Sequence, residues 1–128
     1  DRVIFKGDKE QLSRVFFNLI KNSIESIHER SSKSTDFAKK IDIAIINKSD
    51  YIEIVITDNG IGFSEKDLER ILKPYFTTKS KGSGLGLAIV NKIINDHNGK
   101  IKFVQQKIGA KININFPKNV YWNINYRR

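Results

Sequence analysis

The chain of 128 residues reads as an α/β fold of the α+β kind: a two-layer sandwich in which helices cover one face of a mixed β-sheet. Three observations lead there. Apolar residues recur at helical spacing over a long stretch from Leu12. Runs rich in Ile and Val, around residues 40–57 and 100–116, read as strands. The elements then follow as strand, helix, two strands, helix, glycine-rich lid, helix, two strands. There is no internal repeat or low-complexity tract, so residues 1–116 are expected to form one domain, with 117–128 as a C-terminal extension or tail.

Residues 2–6 (Arg-Val-Ile-Phe-Lys) predict a short strand, and Asp8 with Gln11 three positions on resembles a capping box. The helix that follows places Val15, Phe16, Leu19, Ile20, Ile24 and Ile27 on a wide apolar face through about residue 30. Ser31 to Lys40 has no period and reads as a loop. Lys40–Ile46 and Tyr51–Thr57, joined by Asn47-Lys48-Ser49-Asp50, predict an antiparallel hairpin at the centre of the sheet. Ser64 and Asp67 cap a short helix through Leu72, which Pro74 stops. Gly84 opens another helix whose Leu87, Ile89, Val90, Ile93 and Ile94 face inward until Asn98-Gly99 ends it. Strands at about 100–105 and 110–116 close the sheet. The tail carries Tyr121, Trp122 and Tyr126 with no period.

At 39% hydrophobic and 29% charged residues, neither disorder nor fibrous structure is indicated. No apolar run approaches the ~18 residues of a membrane span, so the fragment itself is expected to be soluble. Without cysteine there is no disulfide framework and no thiolate zinc site, which fits a reducing compartment. The net charge of +9 would suit a polyanion. Its 23 Lys and Arg residues are scattered from Arg2 to Arg128, however, so nucleic acid is not expected as the partner.

Three constellations carry chemistry. Asn18 and Asn22 lie at about 0° and 40° on the first helix, against about 60° and 100° for Val15 and Leu19, so both border the apolar face. A carboxamide there can give Mg²⁺ a neutral oxygen ligand; two surface asparagines would read alike. Asp58-Asn59-Gly60-Ile61-Gly62 follows a strand. A carboxylate at a strand end can accept from the exocyclic amine of adenine, and glycines allow close backbone approach. Asn-Gly is also the strongest short hairpin signal, but a helix start follows here rather than an alternating strand. Gly82-Ser83-Gly84-Leu85-Gly86-Leu87 opens a helix, where amide N–H groups and the positive dipole end suit a phosphate. It is neither a P-loop nor a dinucleotide fingerprint.

Taken in this order and spacing, the three segments resemble the catalytic ATP-binding domain of sensor histidine kinases, in the superfamily that includes DNA gyrase and the Hsp90 chaperones. The likeness covers about residues 3–116. Asn-Leu-Ile-Lys-Asn-Ser-Ile is similar to that family's N box, Asp58 to Gly62 to its first glycine box, Pro74-Tyr75-Phe76-Thr77-Thr78-Lys79 to its F box, and Gly82 to Gly86 to its second glycine box. The run from Pro74 to Val90 looks most like the NtrB and NtrY nitrogen-regulation kinases.

The resemblance implies a Bergerat-type ATP-binding fold with ATP and Mg²⁺ as cofactors. Asn22 would hold Mg²⁺, Asn18 would assist at the phosphates, Asp58 would read adenine, and Gly60 and Gly62 would give the base room. Residues 63–83 would form a lid whose Phe76 packs and whose Thr78, Lys79 and Lys81 lie near the phosphates; Gly82, Ser83, Gly84, Leu85, Gly86 and Leu87 would complete the ATP site. In the hydrolysing branch a glutamate matches Asn18, and an asparagine cannot act as base, so slow hydrolysis is implied.

The implied activity is transfer of the γ-phosphoryl group of Mg-ATP to a histidine on a separate dimerisation and phosphoacceptor domain, and thence to a response-regulator receiver domain. The acceptor histidine is not expected within this chain. His28 precedes Glu29 without the following proline, and His97 stands at a helix end, so the chain is expected to begin just after the acceptor domain. The parent is expected to be a homodimer, this fragment a monomer, and the domain cytoplasmic in a parent anchored in the inner membrane. The alternative is a nucleotide-binding regulatory module without transfer activity; a gyrase- or chaperone-type ATPase is disfavoured by Asn18. Two departures stand out: Ser23 where the family often has alanine, and Glu25 where many members carry a basic residue.

Overall fold

The structure is a computed structural model that describes residues 3–34, 36–71 and 86–118. Helix α1 (Lys9–Lys33) starts where Asp8 takes an extended conformation and its carboxylate accepts the Gln11 N–H at 3.0 Å, satisfying one of the helix's orphan donors. It runs three residues past the expected end. Val15, Leu19, Ser23 and Ile27 form its buried stripe.

Strands β1 (Ile41–Asn47) and β2 (Tyr51–Asp58) make the expected hairpin. Short helix α2 (Glu65–Arg70) begins at Ser64, whose hydroxyl accepts the Asp67 N–H. Helix α3 (Gly86–Asp96) ends in a Schellman arrangement. Asn98 takes the left-handed conformation (φ 59°) and the Gly99 N–H reaches the Ile94 carbonyl at 2.8 Å. Strands β3 (Lys100–Gln105) and β4 (Ala110–Pro117) follow.

The sheet order is β1-β2-β4-β3. All three pairings are antiparallel among the described residues, where a mixed sheet was expected; the helix-on-sheet sandwich is as expected. Two further corrections concern strands. Residues 3–6 carry no strand. Val3 and Phe5 pack against the core, and Phe5 stacks on Phe116 at 5.0 Å between ring centroids. The period-two pattern thus reports packing without a ladder. The β1–β2 hairpin is not wholly central: β2 pairs on both sides, but β1 is an edge.

The core joins the layers: Val15 and Leu19 of α1, Val90, Ile93 and Ile94 of α3, and alternate residues Ile52, Ile54, Ile56 of β2 and Ile112, Ile114, Phe116 of β4. At this two-residue period Asp58 falls on the same face as the buried isoleucines. That carries one carboxylate to the helix-facing end of a central strand.

Candidate functional site

Helix α1 is the spine of the site. Asn18, Asn22 and Ser26 recur every four residues along it and are half-buried, so they share one side over about 12 Å of helix. At one end a Cβ on Gly86, the first residue of α3, would stand 3.8 Å from Asn18 Oδ1. The N-terminal end of α3 therefore faces the Asn18 carboxamide. Leu87, the next residue, packs against the core.

At the other end α1 holds the turn after β2. The Ile61 N–H donates to the Ser26 hydroxyl at 3.0 Å, and the Gly62 N–H reaches the same oxygen at 3.3 Å. The contact requires glycine at 60, because a Cβ there would lie 2.3 Å from Ser26 Oγ and 2.5 Å from its backbone carbon. Gly62 takes φ 76° and packs beside Gly109, a conformation that L side chains rarely adopt. These glycines were expected to give a base room; the close approach the structure shows is to α1 and to the β3–β4 turn. Gln105 Oε1 accepts the Phe63 N–H at 2.5 Å, and Phe63 meets Phe103 edge-on.

Asp58 lies between these supports. It is 6% exposed, and Oδ1 accepts the Gly60 N–H at 2.9 Å. Burial pushes its carboxyl pKa upward; the Gly60 N–H, the Ser23 hydroxyl and the Ala110 N–H oppose that shift by favouring the charged form. Ser23 itself is 2% exposed. Its Oγ lies near enough to act on the Asp58 charge, yet has no partner in hydrogen-bonding geometry.

The turn is also held from behind. Asn59 Oδ1 accepts the Lys40 N–H at 2.9 Å, its Nδ2 donates to the Ala38 carbonyl at 2.6 Å, and Arg30 Nη1 donates to the Asn59 carbonyl at 2.6 Å. A groove of about 370 Å³ opens beside this clamp, lined by Arg30, Phe37, Lys40, Asp42, Thr57 and Ile108 among others. Thr57 and its register partner Asp42 point away from the face that carries the Asp58 carboxylate. Asp58 and Asn59 also line the groove, whereas Asn18 and Ser23 do not.

Along α1 the structure sets Gly86 beside Asn18 at one end and Asp58, Gly60 and Gly62 at the Ser26 end, with Asn22 between them on the helix. Phe76, Thr78, Lys79, Lys81, Gly82, Ser83, Gly84 and Leu85 lie outside the described residues. Sequence reasoning missed Ser26, although it sits four residues beyond Asn22 on the same stripe. It also missed Gln105, which only the strand register brings to Phe63, and the Arg30–Asn59 clamp.

The family model described as histidine kinase-, DNA gyrase B-, and HSP90-like ATPase matches residues 7–120. Sporulation kinase A of Bacillus subtilis (strain 168) is 38% identical over 119 residues, 92% of this chain. The putative sensor histidine kinase NtrY-like protein of Rickettsia conorii is 40% identical over 113 residues, 88% of this chain. The chain spans 18% of the length of each of these two relatives. Among solved structures, the catalytic domain of histidine kinase ThkA superposes with a TM-score of 0.75 at 31% identity, covering 89% of this chain and 70% of that one. The chain belongs to the histidine kinase-, DNA gyrase B- and HSP90-like ATPase family, as a catalytic domain of the sensor histidine kinase kind.

Proposed function

We propose that this chain binds Mg-ATP along α1 and presents its γ-phosphoryl group to a histidine on a separate dimerisation and phosphoacceptor domain. The observation that supports the reading is that one helix, α1, borders two unlike polar settings. A buried carboxylate, Asp58, lies beside Ser23, and the start of α3 lies beside Asn18.

Asp58 would accept from the exocyclic amine of adenine. Asn18 and the first turn of α3 would take the phosphate end, where helix N–H groups favour an anion. Among the described residues no three His, Asp or Glu gather into a metal cage. Mg²⁺ would instead rest on the Asn22 carboxamide and the nucleotide's own oxygens, which suits an ion that keeps most of its shell for water and phosphate. Bound Mg-ATP supplies the phosphoryl group and the charge neutralisation that its transfer requires. Phe76, Thr78, Lys79, Lys81, Gly82, Ser83, Gly84 and Leu85 would close over it. Asn18 offers no base for water, so the domain keeps its ATP for the acceptor histidine. Passage to a receiver domain, a homodimeric parent and a membrane anchor complete the proposal. No helix among the described residues is long and apolar enough to cross a membrane.

The test is a calorimetric titration with ATP, with and without Mg²⁺, using GTP and Asp58→Ala as controls. Saturable binding that prefers ATP and fails in the variant supports the adenine site. Binding without transfer to a supplied acceptor domain would favour a regulatory nucleotide-binding module, and no binding by the folded wild type at millimolar ATP would sink both.

A further inference from the structure

Strand β1 is an edge of seven residues with a single charge, Asp42. Such edges are ordinarily blunted by charge, proline or a cover, because their outward N–H and C=O groups invite another strand. The Lys48 N–H reaches the Tyr51 carbonyl and the Asn59 N–H the Lys40 carbonyl. Even-numbered residues of β1 therefore turn their backbone groups toward β2, and those of Ile41, Ile43, Ile45 and Asn47 point outward. On the helix-facing side Ile43 and Ile45 are exposed, as is Ile24 on the flank of α1 away from Asn18. At the far end of the sheet β4 finishes with Pro117 opposite Tyr51, and the Lys118 N–H donates to the Asp50 carbonyl at 3.0 Å. The chain thus leaves the sheet at the β1–β2 turn, the end where β1 also finishes. Residues 119–128 lie outside the described residues. Their aromatic residues alone have no period, but with Val120 and Ile124 counted every second residue from 120 to 126 is apolar: Val120, Trp122, Ile124 and Tyr126 alternate with Tyr121, Asn123, Asn125 and Arg127. That is the pattern of a half-buried strand.

We propose that the free edge of β1 is the docking site of this chain's own tail: residues 124–128 add to it as an antiparallel strand, with Ile124 opposite Asn47 and Tyr126 opposite Ile45. The reach sets the register. Three strand spacings of about 4.8 Å separate β4 from that position, or about 16 Å with the step back along the strand. The stretch from Lys118 to Ile124 extends to about 20 Å and spans it, whereas Lys118 to Trp122 extends to about 14 Å and falls short. Directly opposed residues share a face, so Ile124 and Tyr126 come to the helix-facing side; a slip by one would bring Asn125 there instead. The outward backbone groups of Ile45 and Asn47 gain partners, and Tyr126 with Ile45 makes an aromatic–β-branched pair. A second copy competes poorly for the same edge. The tether holds the tail at an effective concentration on the order of millimolar, and the net charge of +9 sets two copies against each other.

Amide hydrogen exchange followed by NMR on the 128-residue chain tests this, with the inward amides of Ala44 and Ile46 as the internal standard. Wild type should protect the Ile45 and Asn47 amides at least about tenfold over an unpaired edge, at every protein concentration. Ile124→Pro removes a donor and interrupts the added strand; it should abolish that protection while Ala44 and Ile46 stay protected. Free exchange at Ile45 and Asn47 in wild type overturns the proposal, as does protection that survives Ile124→Pro. Should the variant expose Ala44 and Ile46 as well, a cross-link decides. The chain holds no cysteine, so Ile46→Cys with Asn125→Cys introduces one defined pair. In the proposed register these residues are a non-hydrogen-bonded pair with Cα atoms about 4.5 Å apart, within reach of a disulfide. Oxidation should close the bridge inside one chain. A bridge between two chains gives the edge to a second copy and overturns the proposal, and so does the absence of any bridge.

Discussion

Asp58 and His97 are two charged or titratable side chains buried to within 6% of full enclosure, and burial disfavours the charged form of each. For Asp58 the folded carboxyl pKa is raised above its ordinary 3.8. The folded state therefore holds the proton more tightly than the unfolded one, and stability falls as pH rises through that raised value. Above that raised value the ionised carboxylate is a standing cost to the fold. Asp58→Asn keeps an oxygen for the Gly60 N–H and should raise the melting temperature by about 3 °C while ATP affinity falls at least tenfold. A melting temperature that drops would show that the carboxylate stabilises the fold. For His97 the shift is downward, because burial outweighs the Ile93 carbonyl and the carboxylates of Asp8 and Asp96. Its Nδ1 meets the Ile93 carbonyl at 2.7 Å, so that nitrogen carries the proton, and Nε2 accepts the Asp8 N–H at 3.0 Å. The edge of Phe116 closes the site. Stability contributed by the neutral ring is complete above the unfolded pKa of 6.5 and is lost as pH falls from there toward the lower folded value. Urea unfolding between pH 7 and pH 5 should show this decline, and His97→Gln should flatten it; an unchanged slope in the variant would refute the assignment.

At the scale of elements, the turn after β2 is fixed by its contact with α1. A methyl at Gly60 would meet Ser26 Oγ at 2.3 Å, but also the Ser26 backbone carbon at 2.5 Å and the Ile27 nitrogen at 2.6 Å. Gly60→Ala must therefore shift a helix and should cost about 3 kcal/mol or more. Ser26→Ala should cost about 1 kcal/mol through the lost acceptor for Gly62, because the Ile61 N–H keeps the Ser26 carbonyl at 3.2 Å. Combining them should give no rescue, because the backbone clash remains. Recovery in the double variant would mean that only the hydroxyl obstructs. These elements were unequally legible in the sequence. Both N-caps, Asp8 and Ser64, were readable because capping is local chemistry. So was the stop at Asn98-Gly99. The Asn18 and Asn22 pair and Asp58 stood out because each is polar at a position whose period points inward. Residues 3–6 misled: alternation places side chains on two sides, but a strand also needs a partner for its backbone, and none of that is local. Ser26 and Gln105 were invisible as site residues because their roles depend on which segments the sheet register brings together.

For the whole molecule, the helical layer decides which parts of the sheet are core. Ile45 of β1 and Ile54 of β2 are register partners on the same face, yet Ile54 is 4% exposed and Ile45 58%. Ile43 and Ile56 repeat the contrast at 52% and 1%. Helices α1 and α3 thus roof β2 and β4, with the edge strand β1 outside their cover. Burial, not residue type, sets what an isoleucine contributes. In this chain Ile54→Ala should cost about 2–5 kcal/mol, the range for emptying a packed interior site. Ile45→Ala should cost about 1 kcal/mol or less, because most of its surface already meets water. Since the covered strand also ends in Asp58, the loss at Ile54 should spread to the site. ATP affinity should weaken in Ile54→Ala even at temperatures where the protein stays folded, and hold in Ile45→Ala. Chemical unfolding of both variants, paired with nucleotide titration, checks each half. Equal losses of stability would mean that β1 is covered in solution as fully as β2. A site indifferent to Ile54 would mean that the α1 stripe alone holds the base subsite in place.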